Sequence, residues 1–192
     1  MATKDRVRVV ALAEDWASAA CTAAPMREGR HYVEMTLLQG AEMLLGLVAL
    51  PAAEALTAEV KALDDAGSGV AQKAEEGLAL QHWLCTRTGW LHSGKGPPGD
   101  SEMRGGRDWG GRQEMRAEEG DVIGLEVDLD GGSLAVSRNG QHLGLALGAG
   151  RVATAAQVGG WCFAARILWA GDSVAVMAKP PRLLGEATAF RA

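Results

Sequence analysis

The segment Gly148-Ala149-Gly150-Arg151-Val152-Ala153 comes closer than any other to a cofactor-binding motif. Its G-x-G-x-x-A spacing matches the fingerprint in which a tight turn and a helix N-terminus bind the pyrophosphate of a dinucleotide. Asp172 follows at about the distance in sequence at which such proteins carry the acid that binds the ribose. This chemistry needs a parallel strand–helix–strand unit. The preceding strands read instead as antiparallel hairpins, so we interpret the segment as a glycine-rich loop and expect no cofactor.

The sequence also offers little support for a metal site or for a catalytic nucleophile. His82 and Cys85 have the spacing of half a zinc site, but the other histidines and cysteines provide no second close pair. The serines lack a nucleophile-elbow motif, and acidic pairs such as Glu118-Glu119 and Asp64-Asp65 occupy turn-like positions typical of solvated charge. The sequence therefore predicts no catalytic residue and no metal site, and we expect the chain not to be an enzyme.

The elements around these residues are clearest between 118 and 147, where three strand-length segments are separated by glycine turns. The second turn, Asn139-Gly140, suits a type I′ hairpin because both central residues need a positive φ. The apolar residues predicted to share one face are Ile123, Leu125, Val127, Leu129, Leu134, Val136, Leu143, Leu145 and Leu147. A three-stranded meander with one apolar face must pack against another layer, which favours an all-β, two-sheet antiparallel β-sandwich.

The rest of the chain fits one domain over 1–192, with a core of about 7–177 and a C-terminal tail over 178–192. Further strands are predicted over 6–12, 32–38, 42–50 and 80–91. Apolar residues at helical spacing predict a short helix over 52–63, and the glycine- and proline-rich stretch over 94–111 predicts a surface loop.

Composition restricts the function classes. The 192 residues are 47% hydrophobic and 22% charged, and a net charge of −5 with scattered basic residues argues against nucleic-acid binding. No apolar run is long enough for a membrane span or a secretory signal. The odd set Cys21, Cys85 and Cys162 suits reduced, buried thiols, so we expect a cytoplasmic or nuclear location.

Several motifs occur in a recognisable order. They are Gly29-Arg30-His31-Tyr32-Val33-Glu34-Met35, Leu45-Gly46-Leu47-Val48, Leu91-His92-Ser93-Gly94-Lys95, Gly120-Asp121-x-Ile123-Gly124, Asn139-Gly140 with Gly144, and Leu168-Trp169-Ala170-Gly171-Asp172-Ser173-Val174. Their order over roughly 7–177 resembles that of SPRY domains. The resemblance implies a bent two-sheet β-sandwich of jelly-roll type that recognises proteins.

The resemblance also implies a partner-binding site made by loops at one edge of the sandwich. Six tryptophans accompany two phenylalanines and one tyrosine, and exposed indoles are frequent binding hot spots. Trp16, Trp83 and Trp161 lie in apolar stretches and are predicted to be buried. The predicted partner-binding residues are Ala49, Leu50, Trp90, Leu91, Trp109, Leu168 and Trp169. Leu91 stands where peptide-binding SPRY domains have a tyrosine, so their peptide specificity does not transfer.

The function expected from the sequence is a non-catalytic protein–protein interaction module, acting alone or within a larger protein or assembly. It would recognise a short peptide segment or a surface loop of a protein partner, without cofactor, nucleic acid or membrane. The alternative is a glycan-binding, lectin-like β-sandwich, which would use an exposed tryptophan to stack on a sugar. The sequence lacks the cluster of Asp and Asn residues for the calcium that many such lectins use.

Overall fold

The structure is a computed structural model that describes residues 6–10, 17–20, 25–50, 80–95, 108–167 and 169–179. Its strands are β1 (Arg6–Val10), β2 (Ala17–Ala20), β3 (Arg30–Gln39), β4 (Met43–Ala49), β5 (Leu80–Cys85), β6 (Leu91–Lys95), β7 (Val122–Asp128), β8 (Ser133–Arg138), β9 (Gln141–Leu147), β10 (Trp161–Ile167) and β11 (Ser173–Lys179). One short helix, α1 (Ala155–Val158), precedes β10. The helix predicted over 52–63 lies outside the described residues.

The strands form two antiparallel sheets. The six-stranded sheet has the order β1-β11-β3-β7-β8-β9, and the five-stranded sheet has the order β2-β10-β4-β5-β6. One hydrophobic cluster joins apolar residues of both sheets, among them Met35 of β3, Leu47 of β4 and Phe163 of β10. The prediction of an all-β, two-sheet antiparallel sandwich is therefore confirmed.

The predicted burial of two tryptophans is confirmed. Trp161 is 0% exposed, stacks on His82 with ring centroids 5.2 Å apart, and donates from Nε1 to the carbonyl of Ala153 at 2.8 Å. Trp83 is also buried, and it donates from Nε1 to Oε1 of Gln81 at 2.7 Å. Each indole thus buries its rings while its single donor is satisfied. Trp16 lies outside the described residues.

The predicted meander is present as β7, β8 and β9. Its second turn has φ values of 51° at Asn139 and 80° at Gly140, as a type I′ turn requires. One detail of the prediction is wrong: Leu145 is 52% exposed. The register between β8 and β9 shifts twice, so Leu145 pairs with Ala135 on the outer face of the sheet.

The glycine of this turn provides a test of the hairpin. Replacing Gly140 by valine is expected to lower the free energy of unfolding by about 1–3 kcal/mol, because a β-branched residue is strained at positive φ. A new Cβ would meet nothing within 4 Å, so the loss would report backbone strain and not a clash. Chemical denaturation of the two proteins measures the difference. An unchanged midpoint would contradict the turn assignment.

Two other predicted segments differ in detail. The single strand predicted over 80–91 is two strands, β5 and β6, joined by a turn at 86–90 in which Gly89 has a φ of 71°. The cofactor-like motif at 148–153 is a loop that connects the antiparallel β9 to the four-residue α1. It therefore has no parallel strand–helix–strand unit around it, as the sequence predicts.

The strand register defines two ends of the sandwich. Met43 at the start of β4 pairs with Ile167, and its neighbour Leu44 pairs with Cys85. We call this the loop end, since the connections at 40–42, 86–90 and 169–172 meet there. The other end of β4, where Ala49 pairs with Trp161, is the far end. Strand β1 pairs with β11 so that Arg6 lies opposite Met177, also toward the far end.

Candidate binding surface

The loop end is organised around Thr86, a buried residue just after β5. Its Oγ1 donates to the carbonyl of Ala41 and accepts from the backbone N–H of Met43 at 2.9 Å. Its own carbonyl accepts from the N–H of Ala117 at 2.9 Å. One threonine therefore ties the β3–β4 connection and the segment before β7 to the β5–β6 turn.

Two tryptophans and an arginine cover one side of this end. The guanidinium carbon of Arg112 lies 4.3 Å from the centre of the Trp90 ring, a cation–π arrangement. Trp109 donates from Nε1 to the carbonyl of Gly89 at 2.8 Å, and Arg112 pairs with Asp108 at 2.6 Å. Trp90 and Trp109 are both partly buried. These contacts fix the two indoles, so they form a rigid flank of the surface.

Trp169 is the exposed aromatic of the loop end. Its side chain is 55% exposed, and its carbonyl accepts from the N–H of Asp172 at 3.1 Å. The carboxylate of Asp172 lies directly against Gly40, where a Cβ would collide with it. The turn that carries Trp169 therefore lies against the β3–β4 connection, while much of the tryptophan side chain stays accessible.

The turn that carries Trp169 is acidic. Burial raises the pKa of the Asp172 carboxyl, and the nearby charges of Glu119 and Glu42 raise it further. Glu119 accepts from the N–H of Gly40 at 3.3 Å, and Glu42 pairs with Arg87 at 2.6 Å. An exposed indole on an acidic turn suits an apolar group that has a cationic neighbour.

The Gly-Asp-x-Ile-Gly motif has a structural role at the same end. Asp121 accepts from the N–H of Glu118 at 2.7 Å, from Nδ2 of Asn139 at 2.6 Å and from Nε of Arg138 at 2.9 Å. The side chain of Asn139 in turn accepts from the N–H of Val122 at 2.9 Å. Asp121 therefore connects the segment before β7 to the β8–β9 hairpin.

Two solved structures resemble this architecture. The crystal structure of the SPRY domain of human HERC1 matches with a TM-score of 0.51 at 10% identity, over 88% of this chain and 87% of that one. A crystal structure of a human SPRY domain matches with a TM-score of 0.53 at 13% identity, over 92% of this chain and 93% of that one. The chain has the SPRY fold. No protein-family profile matches the sequence, and no curated protein is similar to it in sequence.

On this SPRY fold the predicted site residues do not share one edge, which corrects the prediction of a single surface. Ala49 and Leu50 lie at the far end, where the N–H of Leu50 donates to the carbonyl of Gly160 at 3.1 Å. Trp90, Leu91, Trp109 and Trp169 belong to the loop end. Six residue steps of about 3.3 Å along β4 put about 20 Å between the two groups.

Burial removes one further side chain, that of Leu91, from the predicted surface. Ala49 and Leu91 are each 1% exposed and belong to the core, and Leu50 packs against it. Leu168 lies outside the described residues. Of the predicted set, Trp90, Trp109 and Trp169 are therefore the side chains that the SPRY fold presents at the loop end.

Sequence reasoning missed the polar members of this surface. Arg112 fixes Trp90, and Asp172 lies in the turn that carries Trp169, with Glu119 close to its carboxyl. In the sequence, Asp172 suggests a ribose-binding acid, Glu119 suggests solvated charge, and Arg112 lies in a charged stretch before β7 that also suits an ordinary solvated loop. Within the described residues of the SPRY fold, no group of three His, Cys, Asp or Glu side chains is arranged to hold a metal. No helix among those residues is long and apolar enough to span a membrane.

Proposed function

We propose that the chain is a non-catalytic protein-interaction module that binds a short segment or loop of a partner protein at the loop end. The observation that carries this proposal is Trp169, which is 55% exposed at a turn closed by the hydrogen bond from the N–H of Asp172. A large aromatic side chain on a rigid turn offers contact area at low entropic cost. Its SPRY fold supports a general role in protein interaction.

The charge of the surface indicates the chemistry of the partner. Asp172 belongs to the turn that carries Trp169, and Glu119 lies close enough to raise the pKa of its carboxyl, while Arg112 is neutralised by Asp108 and Arg87 by Glu42. The bound segment is therefore expected to carry an apolar residue next to a lysine or arginine. Attraction between exposed charges is screened by salt, so binding should weaken as ionic strength rises.

A pair of alanine variants tests the proposal, because Trp169 and Leu145 are the large apolar side chains that stand exposed among the described residues. Trp169→Ala is expected to keep the native melting temperature and to lose about 2 kcal/mol or more of partner binding. Leu145→Ala, on the edge strand β9, serves as the matched control and should retain binding. Affinity capture from the source cell, quantified by mass spectrometry for native protein and both variants, identifies partners lost only with Trp169.

Two results would contradict this function. One is a captured partner whose affinity is the same for Trp169→Ala and for native protein, which would move the interface away from the loop end. The other is saturable binding to a glycan array that disappears in Trp169→Ala, because sugar stacking on the indole would then account for its exposure. The second result would favour the lectin-like alternative.

A further inference from the structure

The outer face of the six-stranded sheet carries a pocket separate from the loop-end surface. Strands β3, β7, β8 and β9 form it, and its main lining residues are Tyr32, Gly124, Glu126, Ala135, Ser137 and His142. Strand register brings these residues together: Glu126 pairs with Tyr32 on one side and Ala135 on the other, and Gly124 pairs with Ser137. The pocket is therefore built on rigid strands.

Small residues create the space. Gly124 has no side chain, and a Cβ there would collide with Oη of Tyr32 and Oγ of Ser137. The two hydroxyls thus lie over the glycine, and Ala135 leaves room beside Glu126. Two hydroxyl oxygens and one carboxylate converge on the same small volume.

Glu126 is the unusual member of the pocket. It is 9% exposed, and its Oε2 is buried without a hydrogen-bond partner. Tyr32 does not satisfy it, because its hydroxyl donates to Oε1 of Glu34 at 3.2 Å. A buried carboxylate oxygen without a donor is costly, so this group is poised to accept a hydrogen bond from a ligand.

The local charge specifies the ligand. Carboxylates of Glu34, Glu126 and Asp128 lie on this face, and Arg30 is engaged by Asp128 at 3.1 Å. Burial raises the pKa of Glu126, and Asp128 adds to this, while the charges of Arg30 and His142 oppose it. A compact cation with several N–H donors would neutralise Glu126 and bond both hydroxyls. An ammonium group has three donors and fits this description better than a planar guanidinium.

We propose that this pocket binds one lysine ammonium group from a partner protein, with Glu126 as its counter-ion and Ser137 and Tyr32 as further acceptors. The site would be a second contact point on a face different from the loop end. It goes beyond the function proposed above and does not depend on Trp169.

The test is a titration followed by NMR, with N-acetyl-lysine N-methylamide as the probe. Saturable shifts are expected at the amides of Gly124, Ser137 and His142 in native protein. Glu126→Gln keeps the shape of the side chain but removes its charge, and it should lower the affinity for the probe at least tenfold. Glu118→Gln removes one exposed charge outside the pocket and should bind as native protein does.

Three comparisons make the titration decisive. N-acetyl-norleucine N-methylamide lacks the ammonium group, and equal binding of this probe would overturn the proposal. So would equal binding of the lysine probe to Glu126→Gln, or native protein that shows no saturable shift. n-Butylammonium represents a free small amine. If it binds more tightly than the lysine probe, the natural ligand is a free amine and not a lysine side chain of a partner protein, which would overturn the proposal. Binding should strengthen as pH rises and Glu126 ionises, since the ammonium pairs with the carboxylate.

The variant is expected to fold. The pKa of Glu126 is raised in the folded state. Ionisation of its carboxylate therefore destabilises the fold once pH rises above the ordinary pKa of a glutamate. Glu126→Gln removes this effect, and its melting temperature at neutral pH should not fall below that of native protein. A variant that unfolds would overturn the inference that the charge is uncompensated.

Discussion

Replacement of Gly46 by valine is expected to lower the free energy of unfolding by about 3 kcal/mol or more, because the added atoms have nowhere to go. Gly46 lies in the middle of β4, which is paired with β10 on one side and β5 on the other. A Cβ at this position would overlap the carbonyl oxygen of His82 and lie 2.9 Å from its carbon. Backbone of a central strand cannot move aside without breaking hydrogen bonds of the sheet.

Denaturant unfolding followed by tryptophan fluorescence measures this loss. Gly148→Val is the matched control, because a Cβ at Gly148 meets nothing within 4 Å, and it should change stability by about 0.5 kcal/mol or less. Gly46→Ala adds a single carbon and provides a milder variant if the valine protein does not accumulate. Native stability in Gly46→Ala and Gly46→Val would show that β4 and β5 are not as close as described.

Replacement of Asp121 by alanine is expected to cost about 2–4 kcal/mol, because it leaves several donors without their shared acceptor. Those donors are the N–H of Glu118, Nδ2 of Asn139 and the guanidinium of Arg138. Asp108→Ala is a suitable control, since it removes an ion pair with Arg112 whose carboxylate is 69% exposed, and it should cost about 1 kcal/mol or less.

The effect of Asp121 should also depend on pH. Burial disfavours its charge, but the hydrogen bonds from Glu118, Asn139 and Arg138 outweigh burial and hold its pKa below the ordinary value. A carboxyl with a lowered folded pKa stabilises the fold above its unfolded pKa of about 3.9, and that contribution is lost as pH falls through the folded pKa. The difference between native protein and Asp121→Ala should therefore shrink in acid. A difference that stays constant from pH 7 to about pH 2 would contradict this role.

The sequence was sufficient for elements whose pattern is local. Alternation along β7 and the Asn139-Gly140 turn predicted the meander, because strand period and turn chemistry both act within a few residues. The same rule failed at Leu145, where two register shifts moved the side chain to the other face. A bulge depends on the partner strand, so the residues of β9 alone do not reveal it.

The candidate binding surface was less predictable than the fold. Whether Ala49 and Trp169 share an end depends on the pairing of β4 with β10, which are far apart in sequence. No local pattern reports that register. Glu126 has the polar character typical of an exposed strand position, and only the packing of Tyr32 and its neighbours shows that it is buried. The exposure of Trp169 likewise depends on the turn that follows β10.

The pairing of β1 with β11 sets the orientation in which the domain can be attached to other sequences. Arg6 begins β1 opposite Met177, so the chain enters its first strand and leaves its last one side by side. The start of β1 and the end of β11 both lie toward the far end, whereas Trp169 stands at the loop end. If a host protein carried this domain as an insertion, two adjacent chain segments would tether it, and the loop end, where we propose the interaction surface, would project away from the host.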